Sequence, residues 1–140
     1  MTRIDFHSNV PDKIAYACRL VRKARAAQCK VVLLTVPSEL ARLDDALWTF
    51  AEQEFLPHVV AGDALAANTP IILTDNDDAA LPHHQILINL TEATPRHFAR
   101  FERMFEIVAS GDADKAAGRE RYRFYQQRGY PLTHFVANHS

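Results

Sequence analysis

The sequence predicts a single α/β domain with a mostly parallel sheet flanked by helices, and three observations lead to this prediction. Short apolar runs of strand length alternate with amphipathic helical segments along the chain. Residues 30–36 form an apolar run, which is typical of a central strand buried on both faces of a parallel sheet. The chain has 140 residues, of which 48% are apolar, so it can bury one core without metals or disulfides.

The first half of the chain is predicted to form a β-α-β-α series. Residues 3–7 alternate in polarity as a short strand does. The Pro-Asp pair at 11–12 is typical of a first helical turn, and the apolar residues of 14–24 recur at helical spacing. The strand at 30–36 follows, and a second helix is predicted over 37–50. We expect a right-handed crossover between the two strands.

The middle of the chain is predicted to contribute two more buried strands, at residues 71–74 and 85–90. Residues 55–60 are predicted to be a loop or a short extended segment, and residues 61–69 a linker of small residues. Residues 75–85 are predicted to be an acidic surface loop that contains proline.

Two helices and a short strand are predicted for the last third of the chain. Thr94 and Pro95 are typical of a helix start. Apolar residues after them repeat on one helical face, namely Phe98, Phe101, Phe105 and Val108. Residues 110–112 interrupt this helix and start a basic one, and 132–136 form a terminal strand. Up to the basic helix, the predicted order is β-α-β-α-β-β-α-α.

The basic helix has the most distinctive composition of the chain. Four arginines and three tyrosines lie within residues 119–131, and Gly129 and Pro131 end the helix. At helical spacing, one stripe combines cations with an aromatic ring, namely Lys115, Arg119, Tyr122 and Gln126. A second stripe is apolar and is expected to be buried, namely Ala113, Ala117 and Phe124. Arg121 and Arg123 lie on other faces, where we expect solvated charge.

A surface that combines arginine with tyrosine suits an anionic partner that also carries a flat or apolar group. Arginine binds carboxylates or phosphates with two parallel hydrogen bonds, and tyrosine supplies an apolar wall. A phosphate backbone and a peptide with a free C-terminal carboxylate both meet this description. A solvated helix face without a ligand is the third alternative.

Charge is distributed unevenly along the chain, although the net charge is only −1. Residues 1–30 carry +5, residues 31–94 carry −9 and residues 95–140 carry +3. A pI of about 6.6 argues against a protein that binds DNA over its whole surface. We expect no membrane span or secretory signal. The spacing of Cys18 and Cys29 is poor for a disulfide, so we expect reduced thiols in a cytoplasmic protein.

The sequence lacks the motifs of nucleotide-dependent and metal-dependent catalysis. Its four glycines form neither a P-loop nor a dinucleotide-binding fingerprint. Asp75 follows a predicted strand but has no phosphate loop with which to share a magnesium ion. His83 and His84 are adjacent rather than spaced for one metal. We therefore expect an interaction protein with no catalytic residues, no metal and no cofactor.

Four segments together resemble the chi subunit family of bacterial DNA polymerase III. They are residues 42–48 (RLDDALW), residues 55–62 (FLPHVVAG), residues 86–90 (ILINL) and residues 119–130, which begin RERY and end in Gly-Tyr. The resemblance covers nearly the whole chain. It implies an α/β fold that looks like a nucleotide-binding domain but binds no nucleotide. It also implies a non-catalytic accessory role at the clamp loader in DNA replication.

The resemblance implies a first protein partner, the C-terminal tail of single-stranded DNA-binding protein (SSB). This acidic peptide ends in an apolar residue and a free carboxylate, and it would link the chain indirectly to single-stranded DNA. The family's contact residues fall on Lys115, Arg119, Tyr122, Val108 and Gly129. We expect Arg119 to bind the terminal carboxylate, Tyr122 and Val108 to hold the terminal side chain, and Lys115 to attract the upstream aspartates.

The second implied partner is the psi subunit, which would tether the chain to the clamp loader. Trp48 and Phe55 fall where the family places the aromatic residues that face psi. No small-molecule substrate and no membrane contact is implied. Two other functions are less well supported by the residues, namely direct binding of single-stranded nucleic acid by the basic C-terminal helix and a degenerate nucleotide-dependent enzyme.

Overall fold

Seven parallel strands form the central sheet of the computed structural model, which describes residues 1–50 and 56–137. The strands are β1 (Arg3–Val10), β2 (Val31–Leu34), β3 (His58–Val60), β4 (Ile71–Thr74), β5 (Ile86–Asn89), β6 (Arg103–Ala109) and β7 (Leu132–Val136). Their order across the sheet is β3-β4-β2-β5-β6-β1-β7, and every neighbouring pair is parallel. The predicted α/β class is confirmed.

Helices cover both faces of this sheet. They are α1 (Lys13–Ala26), α2 (Leu40–Thr49) and α3 (Asp112–Gln127), with 3₁₀ turns at Pro37–Glu39, Ala66–Asn68 and Phe98–Arg100. α1 and α2 pack on one face, where Val21 and Leu43 share a core cluster with Leu33. α3 packs on the other face, where Tyr125 shares a second cluster with Ile4. Each face of the sheet therefore has its own apolar core.

Most of the predicted elements are confirmed. The Pro-Asp pair starts α1, because the Asp12 carboxylate accepts the backbone N–H groups of Ile14 and Ala15 at 3.1 and 3.2 Å. Every residue of β2, β4 and β5 is buried, as expected for central parallel strands. The terminal strand exists as β7, which pairs with β1 at one edge of the sheet.

The predicted helix that starts at Thr94 and Pro95 is wrong. Phe98–Arg100 is a 3₁₀ turn, and the residues after it form β6 between β5 and β1. Phe105 faces the core cluster beneath α1 and α2, whereas Val108 faces the cluster beneath α3. β6 is buried on both sides and therefore carries apolar residues on both of its faces. The spacing of these residues along the chain also fits one face of a helix, which explains the wrong prediction.

The predicted buried face of α3 is also wrong. Ala113 is exposed and Ala117 and Phe124 are only half-buried, whereas the buried residues are Asp114, Gly118, Arg121 and Tyr125. Arg121, which we expected to be solvated, forms an ion pair with buried Glu106 of β6. Because β6 places a carboxylate beneath the helix, the buried face of α3 supplies polar partners rather than methyl groups.

Candidate functional site

A cleft of about 560 Å³ lies between α3 and the β1–β7 edge of the sheet. α3 contributes Lys115, Gly118, Arg119, Tyr122, Arg123 and Gln126, and the strands contribute Phe6, Ser8, Asn9, Val108 and His134. Strand and helix residues therefore form opposite walls of one cleft.

Four of the five residues predicted to bind the SSB tail line this cleft: Lys115, Arg119, Tyr122 and Val108. The fifth, Gly129, lies beyond the end of α3 and is not among the lining residues. Its φ of +77° is a left-handed conformation that favours glycine. It ends the helix in a Schellman motif, in which the N–H groups of Gly129 and Tyr130 donate to Gln126 and Tyr125 at 3.1 and 3.2 Å.

A buried polar network fixes α3 on the sheet beneath the cleft. The Arg121 Nε and the Tyr125 hydroxyl donate to Glu106 Oε2 at 3.1 and 2.6 Å, and the Asn89 amide donates to Glu106 Oε1 at 2.8 Å. Burial raises the pKa of Glu106, and the Arg121 guanidinium opposes that effect. Burial and the Glu106 carboxylate raise the pKa of Tyr125, so its hydroxyl stays protonated and donates.

The start of α3 is held separately. The Asp114 carboxylate accepts the backbone N–H of Ala109, at the end of β6, at 2.6 Å. It also pairs with Lys13 Nζ of α1 at 2.9 Å, and Lys13 donates to the Leu90 carbonyl after β5 at 3.1 Å. Both halves of the helix are thus tied to the sheet, which fixes the position of Lys115 and Arg119 between them.

The cleft combines positive charge with an apolar floor. Among residues 1–50 and 56–137, neither Lys115 nor Arg119 forms an ion pair with a carboxylate, whereas Arg123 pairs with Glu120 at 3.0 Å. The Tyr122 ring packs edge-on against Phe6, with 5.1 Å between centroids. The arrangement can therefore bind an anion beside an apolar group.

Sequence reasoning missed the residues that β1 and β7 bring to the cleft. Phe6 and His134 are register partners on these two strands, and the His134 Nε2 lies 2.7 Å from the Ser8 hydroxyl. More than a hundred residues separate the two strands in the chain, so no local pattern could have paired them. Gly118 was missed as well, although a glycine inside a helix is a recognised sign of close packing.

Trp48 lies on α2, on the opposite face of the sheet from the cleft, with 47% of its surface exposed. Its ring is 4.2 Å from that of His58, whose Nε2 lies 3.1 Å from Asp44 Oδ1. Phe55, the second residue predicted to face psi, lies outside the described residues. The two predicted partner surfaces are therefore on different faces of the molecule.

A cleft of about 400 Å³ lies where α/β folds of this type hold phosphates, but the chain's own carboxylates already engage its anion-binding groups. It lies at the carboxyl ends of β2 and β5, where Thr35, Leu90 and the start of α1 meet. The Asp12 carboxylate accepts hydrogen bonds from the first backbone N–H groups of α1, and Lys13 forms an ion pair with Asp114. An anionic phosphate would therefore meet a carboxylate and a neutralised lysine there.

Other observations concern metals, membranes and cysteines. Within the described ranges, no three His, Cys, Asp or Glu residues are grouped so that they could hold a metal ion. Over the same ranges, none of the helices has the length and apolar content that a membrane crossing requires. Cys18 and Cys29 are free thiols, and burial raises the pKa of Cys18 to about 11.

The chain is similar in sequence to one family of known proteins over nearly its whole length. Residues 1–133 match the family model described as "DNA polymerase III chi subunit, HolC". The chain is 34% identical to the DNA polymerase III subunit chi of Pseudomonas aeruginosa over 137 residues, or 94% of both chains. It is 33% identical to the Haemophilus influenzae subunit chi over 74% of both chains. The chain therefore belongs to the DNA polymerase III chi subunit family.

Proposed function

We propose that the chain is a non-catalytic adaptor that binds the acidic C-terminal tail of SSB in the cleft beside α3. The observation that carries this proposal is the convergence of Lys115, Arg119, Tyr122 and Val108 on one cleft, where Lys115 and Arg119 have no carboxylate partner among the described residues. Through this contact the chain would link SSB-coated DNA to the polymerase in the cytoplasm.

The cations divide the recognition of the peptide between them. Arg119 is exposed and can offer both arms of its guanidinium to the terminal carboxylate. Lys115 lies one helical turn earlier and attracts the aspartates that precede the terminal residue. Contacts of this kind favour fast association and a salt-sensitive complex.

The apolar part of the cleft receives the terminal side chain. Val108 and Phe6 lie on neighbouring strands, and Tyr122 closes over Phe6 from α3. Gly118 packs directly against Val108, so an apolar surface runs from the strands to α3 beside Tyr122. An apolar side chain inserted there would be covered by the Tyr122 ring on one side.

The same proposal includes psi as the tether to the clamp loader, with Trp48 and Phe55 on the surface that faces it. An exposed tryptophan is a typical interface anchor. The face opposite the cleft would leave the SSB site accessible. The proposal of direct nucleic-acid binding by α3 is weaker, because residues 95–140 carry a charge of only +3 and the Tyr122 ring beside the cations is half-buried against Phe6.

Fluorescence anisotropy with a labelled acidic peptide that ends in an apolar residue and a free carboxylate tests the proposal. We expect binding that weakens with salt, with loss of the terminal residue and with amidation of the carboxylate. Arg119→Ala should reduce the binding free energy by about 2 kcal/mol, whereas Arg42→Ala, an equal change of charge on α2, should reduce it little.

A second experiment would add psi and follow the fluorescence of Trp48, the only tryptophan of the chain.

Equal affinity for the free and the amidated peptide would rule out a carboxylate site at Arg119. An unchanged Trp48 spectrum with psi, together with normal peptide binding, would remove the psi contact and leave the peptide site in place.

A further inference from the structure

A basic and aromatic surface lies on the face of the sheet opposite the cleft, where α1 meets the β7 edge. We call it the α1–β7 surface and define it by Tyr16, Arg19, Lys23 and Phe135. The peptide site does not use it, although residues 1–30 carry the largest positive charge of any part of the chain.

The cations of this surface are available to a ligand. Arg19 and Lys23 are exposed and four residues apart, so they lie on one side of α1. In residues 1–50 and 56–137, neither of them pairs with a carboxylate. The Arg19 guanidinium lies 5.4 Å from the centroid of the Tyr16 ring, which holds it at the surface.

The aromatic part of the surface is continuous with these cations. Phe135 is 50% exposed on the edge strand, and its inner face stacks on His7, with centroids 5.2 Å apart and 25° between planes. His7 in turn contacts the Tyr16 ring, at 5.2 Å. Lys23 follows Arg19 by one helical turn and Tyr16 by two, on the same side of α1.

We propose that the α1–β7 surface binds single-stranded nucleic acid directly, with Arg19 and Lys23 on phosphates and the exposed face of Phe135 stacked on an unpaired base. Single-strand binding requires two elements, namely cations that contact the phosphates and an aromatic ring on which a base can stack. An acidic protein could use the same cations, and it is therefore distinguished from a nucleic acid by the test below. A duplex offers no unpaired base to Phe135.

Adjacent residues of β7 separate this surface from the peptide cleft. His134 pairs in register with Phe6 and lines the cleft, whereas Phe135 pairs with His7 on the other face. A strand bound at Phe135 could therefore lie next to a peptide bound at Arg119 without sharing contacts. The inference does not depend on the proposed peptide site.

The test is anisotropy of a labelled oligothymidylate of about 15 nucleotides, with an abasic strand of equal length as the second probe. We expect two phosphate contacts to weaken binding about sevenfold between about 50 and 200 mM salt. Arg19→Glu/Lys23→Glu should reduce affinity at least tenfold. Phe135→Ala should reduce it about fivefold or more, and only for the strand that has bases.

Controls separate this surface from α3 and from bulk charge. Arg96→Glu/Arg100→Glu makes the same change in net charge on the α3 side of the sheet and should have a much smaller effect. Arg119→Ala should leave strand binding unchanged, and the α1 double variant should still bind the acidic peptide. Phe135→Leu, which keeps apolar cover over His7, replaces Phe135→Ala if the latter lowers the melting temperature.

Four results would overturn the proposal. They are no strand binding at low salt, loss of binding with Arg119→Ala but not with the α1 double variant, equal loss with the control double variant, and equal affinity for the abasic strand. Competition by polyaspartate at equal charge concentration would assign the surface to an acidic protein instead.

Discussion

Glu106 is the residue on which the position of α3 depends most. Its carboxylate is fully buried, and three side chains donate to it: Arg121, Tyr125 and Asn89. A buried ion pair stabilises a fold little relative to an apolar substitute, but removal of one partner leaves a desolvated charge. Arg121 thus matters to the cleft without lining it.

Arg121→Ala should destabilise the protein by about 3–5 kcal/mol, because it leaves the buried Glu106 carboxyl without its cation. The measurement is the free energy of unfolding from urea denaturation. Arg123→Ala, which breaks the exposed pair with Glu120 on another face of α3, should cost less than about 1 kcal/mol. The double variant Glu106→Gln/Arg121→Met should recover part of the loss, and equal effects of the two alanine variants would contradict the ion-pair argument.

At the scale of secondary-structure elements, the packing of α3 on β6 determines the depth of the cleft. Gly118 is buried against Val108, and a Cβ at this position would lie 2.9 Å from Val108 Cγ2. A glycine inside a helix weakens it by about 1 kcal/mol relative to alanine. The helix accepts this cost because the close approach brings Lys115 and Tyr122 to the strands.

Gly118→Ala should destabilise the protein by about 1–3 kcal/mol through overpacking, despite the better helix propensity of alanine. Thermal unfolding measures this, and Gly111→Ala is the control because its Cβ would meet no atom within 4 Å. Added Val108→Ala should relieve the contact, so the Gly118→Ala change should cost less in that background. A stabilising effect of Gly118→Ala alone would show that α3 can move away from β6.

At the scale of the whole molecule, the two faces of the sheet separate three surfaces with different chemistry. The α3 face carries the cleft, and the other face carries Trp48 on α2 and the α1–β7 surface. This separation would let one small domain hold the proposed partners at the same time. It depends on a rigid sheet, and therefore on its buried polar residues remaining in their native charge states.

The fold should lose stability as the pH falls below about 6.5. Burial lowers the pKa of both His7 and His83, so each binds its proton more weakly in the folded state than in the unfolded state. Their contribution is fully present above the unfolded pKa near 6.5 and is lost as the pH falls from that value through the lower pKa of the folded state. Urea unfolding between about pH 7.5 and 5.5 measures this, and His7→Gln should flatten the dependence. Identical slopes for both proteins would refute the contribution of His7.

Local sequence patterns are enough to predict the fold class, five of the strands and the cationic stripe of α3. These features follow from local patterns, since apolar runs specify buried strands and residues four apart on a helix share a face. The family resemblance likewise rested on motifs that are short and contiguous, such as residues 42–48 and 119–122.

The residues that lie across from α3 are set by tertiary contacts. β6 was predicted to be a helix because both of its faces are buried, so its apolar residues also fit the spacing of one helical face. Arg121 was predicted to be solvated because the local sequence does not show that Glu106 lies beneath it. Phe6 and His134 reach the cleft through pairing of β1 with β7. Long-range pairing and the burial of charge depend on contacts between distant segments, and no local pattern encodes them.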